Sequence, residues 1–246
     1  MKTKRYAELG FTYLLNIDQN AKTVKGNTEG FRTAILYLAP SNESGVDVCP
    51  YSSPGCVAGC LYTAGRGTMA GTKNARINRT HHLITNRVRF MVDLEQEIRE
   101  AWEKATQDKV TLVVRLNGTS DIDWNFYYDG KQTIFSKFPT IQFYDYTKDY
   151  RKLERNKIPN YHLTYSYHEN ASKDKCFDVL HKHHGNVAVV YMTREQQREA
   201  VEVGAIDGEA HDLRFLDKPG KVVALLAKGK AKKDTTGFVI NKGVAV

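Results

Sequence analysis

Eight short apolar runs recur along the chain, and segments with helical spacing separate most of them. The runs are 11–17 (FTYLLNI), 33–40 (TAILYLAP), 110–117 (VTLVVRLN), 140–147 (TIQFYDYT), 161–167 (YHLTYSY), 186–192 (NVAVVYM), 212–216 (DLRFL) and 222–228 (VVALLAK). They are rich in β-branched and aromatic residues and bounded by turn-forming residues, so each reads as a strand. Helical spacing is read over 72–90, over 93–107 with Asp93 as N-cap, near 148–156, over 172–184 and over 193–204. Alternation of this kind specifies a parallel sheet covered by helices, and eight strands are the number that closes a barrel. The expectation is a single α/β domain over 1–246 with an irregular, barrel-like architecture of the TIM type. An open doubly wound sheet is the alternative, and the first two runs could instead pair as an antiparallel hairpin across a turn-rich connection.

The second strong feature is the stretch 49–67, CPYSSPGCVAGCLYTAGRG, which holds three of the four cysteines. Cys49, Cys56 and Cys60 lie among Pro50, Pro54, Gly55 and Gly59, so they belong to a tight irregular loop and not to a periodic apolar element. Disulfides are rare in a reducing compartment, where clustered cysteines more often bind metal or react. A structural zinc site would show two close cysteine pairs, and no second pair exists here. Three thiolates suit an iron-sulfur cluster, [4Fe-4S] or [3Fe-4S], in which one position is free of cysteine. Cys176 lies one helical turn before Leu180 and beside Phe177, and reads as a core residue.

Other polar residues are placed to act with the loop. Gly65, Arg66 and Gly67 offer backbone amides and a planar guanidinium to an anion. Asn117, Thr119, Ser120 and Asp121 leave one strand and Asp145 ends the next, so Asp121 and Asp145 are candidates for positioning a substrate or acting as a base. Arg115, a charge within an apolar strand, demands a buried partner or a wet interior. His81, His82, His181, His183 and His184 lack ligand spacing and read as solvated.

The run Cys56–Gly67, together with Asp212–Asp217 and Gly237-Phe-Val, resembles the gene product 88 domain family of tailed bacteriophages, over most of the chain. That resemblance implies a phage-encoded protein acting in the host cytoplasm. The absence of a leader-like N-terminus or a long apolar segment agrees with a cytoplasmic, membrane-free expectation. A net charge of +8 favours polyanionic partners, but basic and aromatic residues do not interleave as in a single-strand binder. The leading expectation is therefore an iron-sulfur protein with a redox or small-molecule partner, acting by electron transfer or as an iron Lewis acid. A metal-clipped nucleic-acid-binding module without catalysis is the alternative. The loop follows an early strand as in radical S-adenosylmethionine enzymes, but their Cys-x-x-x-Cys-x-x-Cys spacing is absent.

Overall fold

The fold is taken from a computed structural model that describes residues 2–18, 21–127 and 132–241. Among them, nine strands form one sheet: β1 (Leu15–Ile17), β2 (Phe31–Leu36), β3 (Thr111–Arg115), β4 (Gln142–Thr147), β5 (Tyr161–Ser166), β6 (Val187–Tyr191), β7 (Ile206–Asp207), β8 (Val222–Leu226) and β9 (Val239–Ile240). Their order is β1-β2-β3-β4-β5-β6-β8-β7. β9 pairs with β6 at Val190 and Tyr191, beyond Ala188 where the pairing with β5 ends. Only β1 runs antiparallel to its neighbour, through Leu15–Leu36 to Ile17–Ala34; every other pairing is parallel. Among the described residues β1 and β7 remain edges, so the sheet is mixed, mostly parallel and not closed.

Helices fill the crossovers that parallel pairing requires. Outside those crossovers, α1 (Lys2–Glu8) precedes β1, and α2 (Ala21–Asn27) joins the antiparallel β1 and β2, where sequence patterning suggests only a turn. Between β2 and β3 lie α3 (Pro54–Ala58), α4 (Ala70–Thr85) and α5 (Arg87–Gln107). The short α6 (Ile134–Lys137), α7 (Tyr150–Arg155), α8 (Lys173–His181) and α9 (Arg194–Glu202) follow in the later crossovers. No helix among the described residues is long and apolar enough to cross a membrane.

Period-two alternation gives each strand two different faces. On one, Ala34, Leu36, Val114 and Phe143 pack with Leu94, Ile98 and Ala101 of α5 in the main core. Leu94 and Ile98 have no exposed surface, and burying each contributes about 1.5–3 kcal/mol. On the other face Val113 and Tyr144 meet Leu213, with Phe31 and Phe215 against them. Arg115 and Tyr146 follow two positions along on that second face.

Two helical expectations are corrected by side-chain chemistry. The segment 72–107 breaks at Asn86, whose side chain accepts from Arg89 N at 3.2 Å and starts α5 six residues before Asp93. Asp93 is not a cap. It is wholly buried and receives Arg5, Arg89 Nε at 3.1 Å and His82 Nε2 at 3.2 Å. His82 is therefore buried in a charge network, while His81, His181, His183 and His184 are exposed as expected. The run 212–216 forms a 3-10 turn over Arg214–Leu216 in place of a strand. Arg214 is fully buried, donates to His211 O at 2.5 Å and pairs with Asp217 at 3.1 Å. Phe215 stands 5.4 Å from the rings of both Phe31 and Tyr144. Closing on those partners turns the backbone away from the ladder.

Candidate functional site

The cysteine loop leaves β2 and is held from several sides. Cys49 Sγ accepts from Ser41 N at 3.3 Å and points its S–H toward Thr119 O at 3.7 Å, which ties it to the segment after β3. Pro54 begins α3, where a missing N–H costs nothing, and Ser53 caps it by accepting from Cys56 N at 3.3 Å. Glu169, beyond β5, accepts from the Ser53 hydroxyl and from Gly55 N, each at 2.6 Å. Cys60 then opens a 3-10 turn, and the Thr63 hydroxyl donates to its carbonyl at 2.7 Å. A second turn, Gly65–Thr68, begins with Gly65 at φ +52, a left-handed conformation natural to glycine.

A C-terminal segment lies over this loop. Gly229–Lys233 forms a turn whose Ala231 meets Gly59: a Cβ on Gly59 would stand 3.2 Å from the Ala231 Cβ. Phe238, Val239, Ala227 and Ala231 form a small apolar cluster against Cys56. Segments far apart in the sequence thus fix the middle cysteine.

All three loop cysteines line one cavity of about 1050 Å³. Arg66, Gly65 and Gly67 lie on its rim, with Arg66 exposed, and Asn117, Ser120 and Asp121 line it from the end of β3. Asp145 does not line it. As the second residue after Phe143, Asp145 faces the helices, where it accepts from Asn117 N at 2.8 Å and from the Tyr161 hydroxyl at 3.1 Å. Burial pushes its carboxyl up to about 6, against the pull of Arg115, Lys152 and its hydrogen-bond donors. In this position it braces the end of β3.

Much of the β3 corner is satisfied internally. Asn117 Oδ1 accepts from the Ser120 hydroxyl at 2.9 Å, Ile122 N at 3.1 Å and Trp124 Nε1 at 3.2 Å. Asp121 accepts from Lys148 N at 2.8 Å and pairs with buried Lys152 at 3.4 Å. A carboxylate so engaged organises the cavity wall more readily than it abstracts a proton. Arg115 finds the buried partner its position demands, Asp212, at 2.5 Å.

The thiols act on one another electrostatically. Burial pushes Cys49 up to about 12, with Cys60, Asp121 and Cys56 raising it further and the Ser41 amide opposing. Burial also raises Cys60, which Cys56 reinforces and the Tyr62 amide, Arg76 and Lys148 oppose. All four cysteines are free, and Cys176 is packed in a separate core with Tyr165 and Val179. Among the described residues no group of three His, Cys, Asp or Glu side chains is spaced to hold one metal ion. A multi-iron cluster separates its thiolates farther than a single ion does. Three thiols of one loop that line one cavity, with no fourth beside them, would suit such a group, with Arg76 and Lys148 acting on Cys60 to offset its negative charge.

Since a raised pKa keeps a thiol protonated, metal uptake here must release protons and should strengthen as pH rises. In metal-free protein at pH 8, alkylation of Cys49 is expected to be at least ~100-fold slower than that of a free cysteine, which titrates near 8.5. The rate should climb about tenfold per pH unit to pH 10, as the thiolate fraction does. Mass-spectrometric timing of iodoacetamide labelling checks this; labelling as fast as free cysteine would contradict the burial of Cys49.

Three residues that shape the cavity environment are not site candidates from the sequence: Lys148, Glu169 and Arg76, the last being one of five basic residues too dispersed around the helix 72–90 to form a stripe. For Arg76 a signal exists, because Lys73 and Arg76 share a helix face at i, i+3 and both reach the Tyr62 ring, at 5.1 and 5.4 Å. For Glu169 none exists, since its role depends on a contact 114 residues away. The family model described as Gene product 88 matches residues 14–242. No curated protein and no solved structure matches the chain.

Proposed function

We propose that this chain, which belongs to the gene product 88 family, is an iron-sulfur protein of the phage-infected host cytoplasm, with Cys49, Cys56 and Cys60 as ligands. The observation that carries this reading is that three partly buried thiols of one loop line one cavity, while the fourth cysteine is sequestered elsewhere. A [4Fe-4S] cluster with one iron free of cysteine, or a [3Fe-4S] cluster, fits that donor count. Such a group supplies electron transfer or Lewis-acid activation of a bound ligand. The surrounding chain does the rest: Glu169 and Ser53 orient α3 and with it Cys56, the C-terminal turn covers the loop, and Asn117, Ser120 and Asp121 line the cavity from the end of β3. Strand order that advances in one direction from β1 to β6 supports an incomplete barrel, with chemistry at the strand ends where such folds place it. The partner is then a small molecule entering the cavity or a redox protein.

A nucleic-acid-binding reading draws on one observation, the exposed Lys230, Lys232 and Lys233 on the turn above the loop. Steep salt dependence of DNA binding would favour it. The cluster reading is tested by anaerobic reconstitution with ferrous iron and sulfide, followed in the visible spectrum. Cys49→Ala, Cys56→Ala and Cys60→Ala are each expected to lose or destabilise the chromophore, while Cys176→Ala keeps it. Equal chromophore in all four variants would refute the assignment.

A further inference from the structure

We propose that Arg76 anchors an oxyanion subsite in the cavity, taking a carboxylate or phosphate group of a small-molecule ligand beside Cys60. This goes beyond the cluster reading and holds whichever metal the cysteines carry.

Helix α4 delivers Arg76 into the cavity wall, where it is only 8% exposed. Its Nε and Nη1 are buried and have no hydrogen-bond partner. The guanidinium lies over the Tyr37 and Tyr62 rings, at 4.9 and 5.4 Å from their centroids. Ring contacts occupy guanidinium faces and leave its N–H groups, which point in plane, to find an acceptor elsewhere. Each of the other two buried arginines of the cavity has an acceptor, although Arg115 Nε is itself unpartnered. Arg79 donates to Tyr13 O at 2.7 Å and Tyr37 O at 3.4 Å, and Arg115 donates to Asp212.

A buried cation without an acceptor is costly, and the cost disappears when an anion completes it. Burial accordingly pulls the Arg76 pKa down, opposed by Tyr37, Cys60 and Tyr62. The acidic groups of the cavity, Asp121, Glu209 and Asp212, are held by Lys152, Lys228 and Arg115. With each of these carboxylates already paired to another cation, none completes Arg76. A cavity of about 1050 Å³ is far larger than a bare ion and matches an organic ligand that carries the oxyanion at one end.

The test is calorimetric titration of the purified protein with inorganic phosphate, pyrophosphate and citrate at fixed ionic strength. Saturable binding of at least one probe is expected, weakened at least tenfold in Arg76→Gln and unchanged in Arg99→Ala, which removes an exposed charge on α5. Preference for citrate identifies a carboxylate ligand, and preference for phosphate or pyrophosphate a phosphorylated one. Should Arg76→Gln fail to fold, Arg76→Lys, which keeps the charge and loses the planar fork, is expected to bind at least threefold more weakly. No saturable binding of any probe to the unaltered protein, or the same affinity in the folded Arg76 variants, would overturn the proposal. Iron content does not enter the readout, so failure here is separate from failure of the cluster reading.

Discussion

Replacing Asp212 by alanine is expected to destabilise the protein by about 3–5 kcal/mol, because it strands a buried charge. Arg115 and Asp212 each expose only 10% of their side chains, and their contact is 2.5 Å. The Tyr146 hydroxyl adds a bond to the other Asp212 oxygen at 3.4 Å, and the guanidinium stands 5.1 Å from the Tyr146 ring. Burial opposes the charge on Arg115, but Asp212 and the neighbouring tyrosines and Asp145 outweigh it, so its pKa is raised. Without Asp212 the burial remains and the compensation does not. Urea unfolding measures the loss, and the double variant Arg115→Met/Asp212→Leu should recover most of it, since an apolar pair carries no desolvation cost. A loss below about 1 kcal/mol in Asp212→Ala would place this pair among surface ion pairs and contradict its burial.

Gly55→Ala should damage both the fold and the cysteine site. An added Cβ would lie 2.1 Å from Thr236 Oγ1, 2.6 Å from the Phe238 Cβ and 2.9 Å from Glu169 Oε1. Thr236 and Glu169 can rotate aside, but the Phe238 Cβ moves only with its backbone. Overpacking of this kind costs about 1–3 kcal/mol, and relief requires the C-terminal segment to lift from the loop. Cys56, the next residue, moves with it. The expected result is a lower melting temperature together with reduced iron retention. Gly71→Ala on α4 provides the contrast: its Cβ meets nothing within 4 Å, so it should be neutral or stabilising by about 0.4–1 kcal/mol. Equal melting temperatures for the two variants would show that the C-terminal segment does not press on the loop.

Local pattern carries much of the fold in this sequence. Strands β2 to β6 and β8 are visible as apolar runs because parallel, doubly covered strands need continuous β-branched and aromatic residues. The run 212–216 has the same look, yet Asp212 is claimed by Arg115, 97 residues away, a contact that no window of sequence reveals, and Arg214 turns to Asp217 three residues on. Asp93 fails as a cap because it sits inside α5, where Arg89 one turn before it is joined by Arg5 and His82 from other elements. At the site, the cysteine spacing announces the loop, and the polar residues after β3 do meet it at the cavity. Asp145 does not, because strand parity turns it to the opposite face from Tyr144 and Tyr146. Arg76 is the converse case, a helical arginine that reads as surface charge until α4 is packed against the loop.

The most direct measurement is the iron, zinc and acid-labile sulfide content of anaerobically purified protein, beside that of Cys56→Ala. Stoichiometric iron and sulfide in the unaltered protein, lost in the variant, is the predicted result. A folded protein that carries zinc, or no metal, and is unchanged by the substitution would contradict the assignment of the cysteine loop as a cluster site.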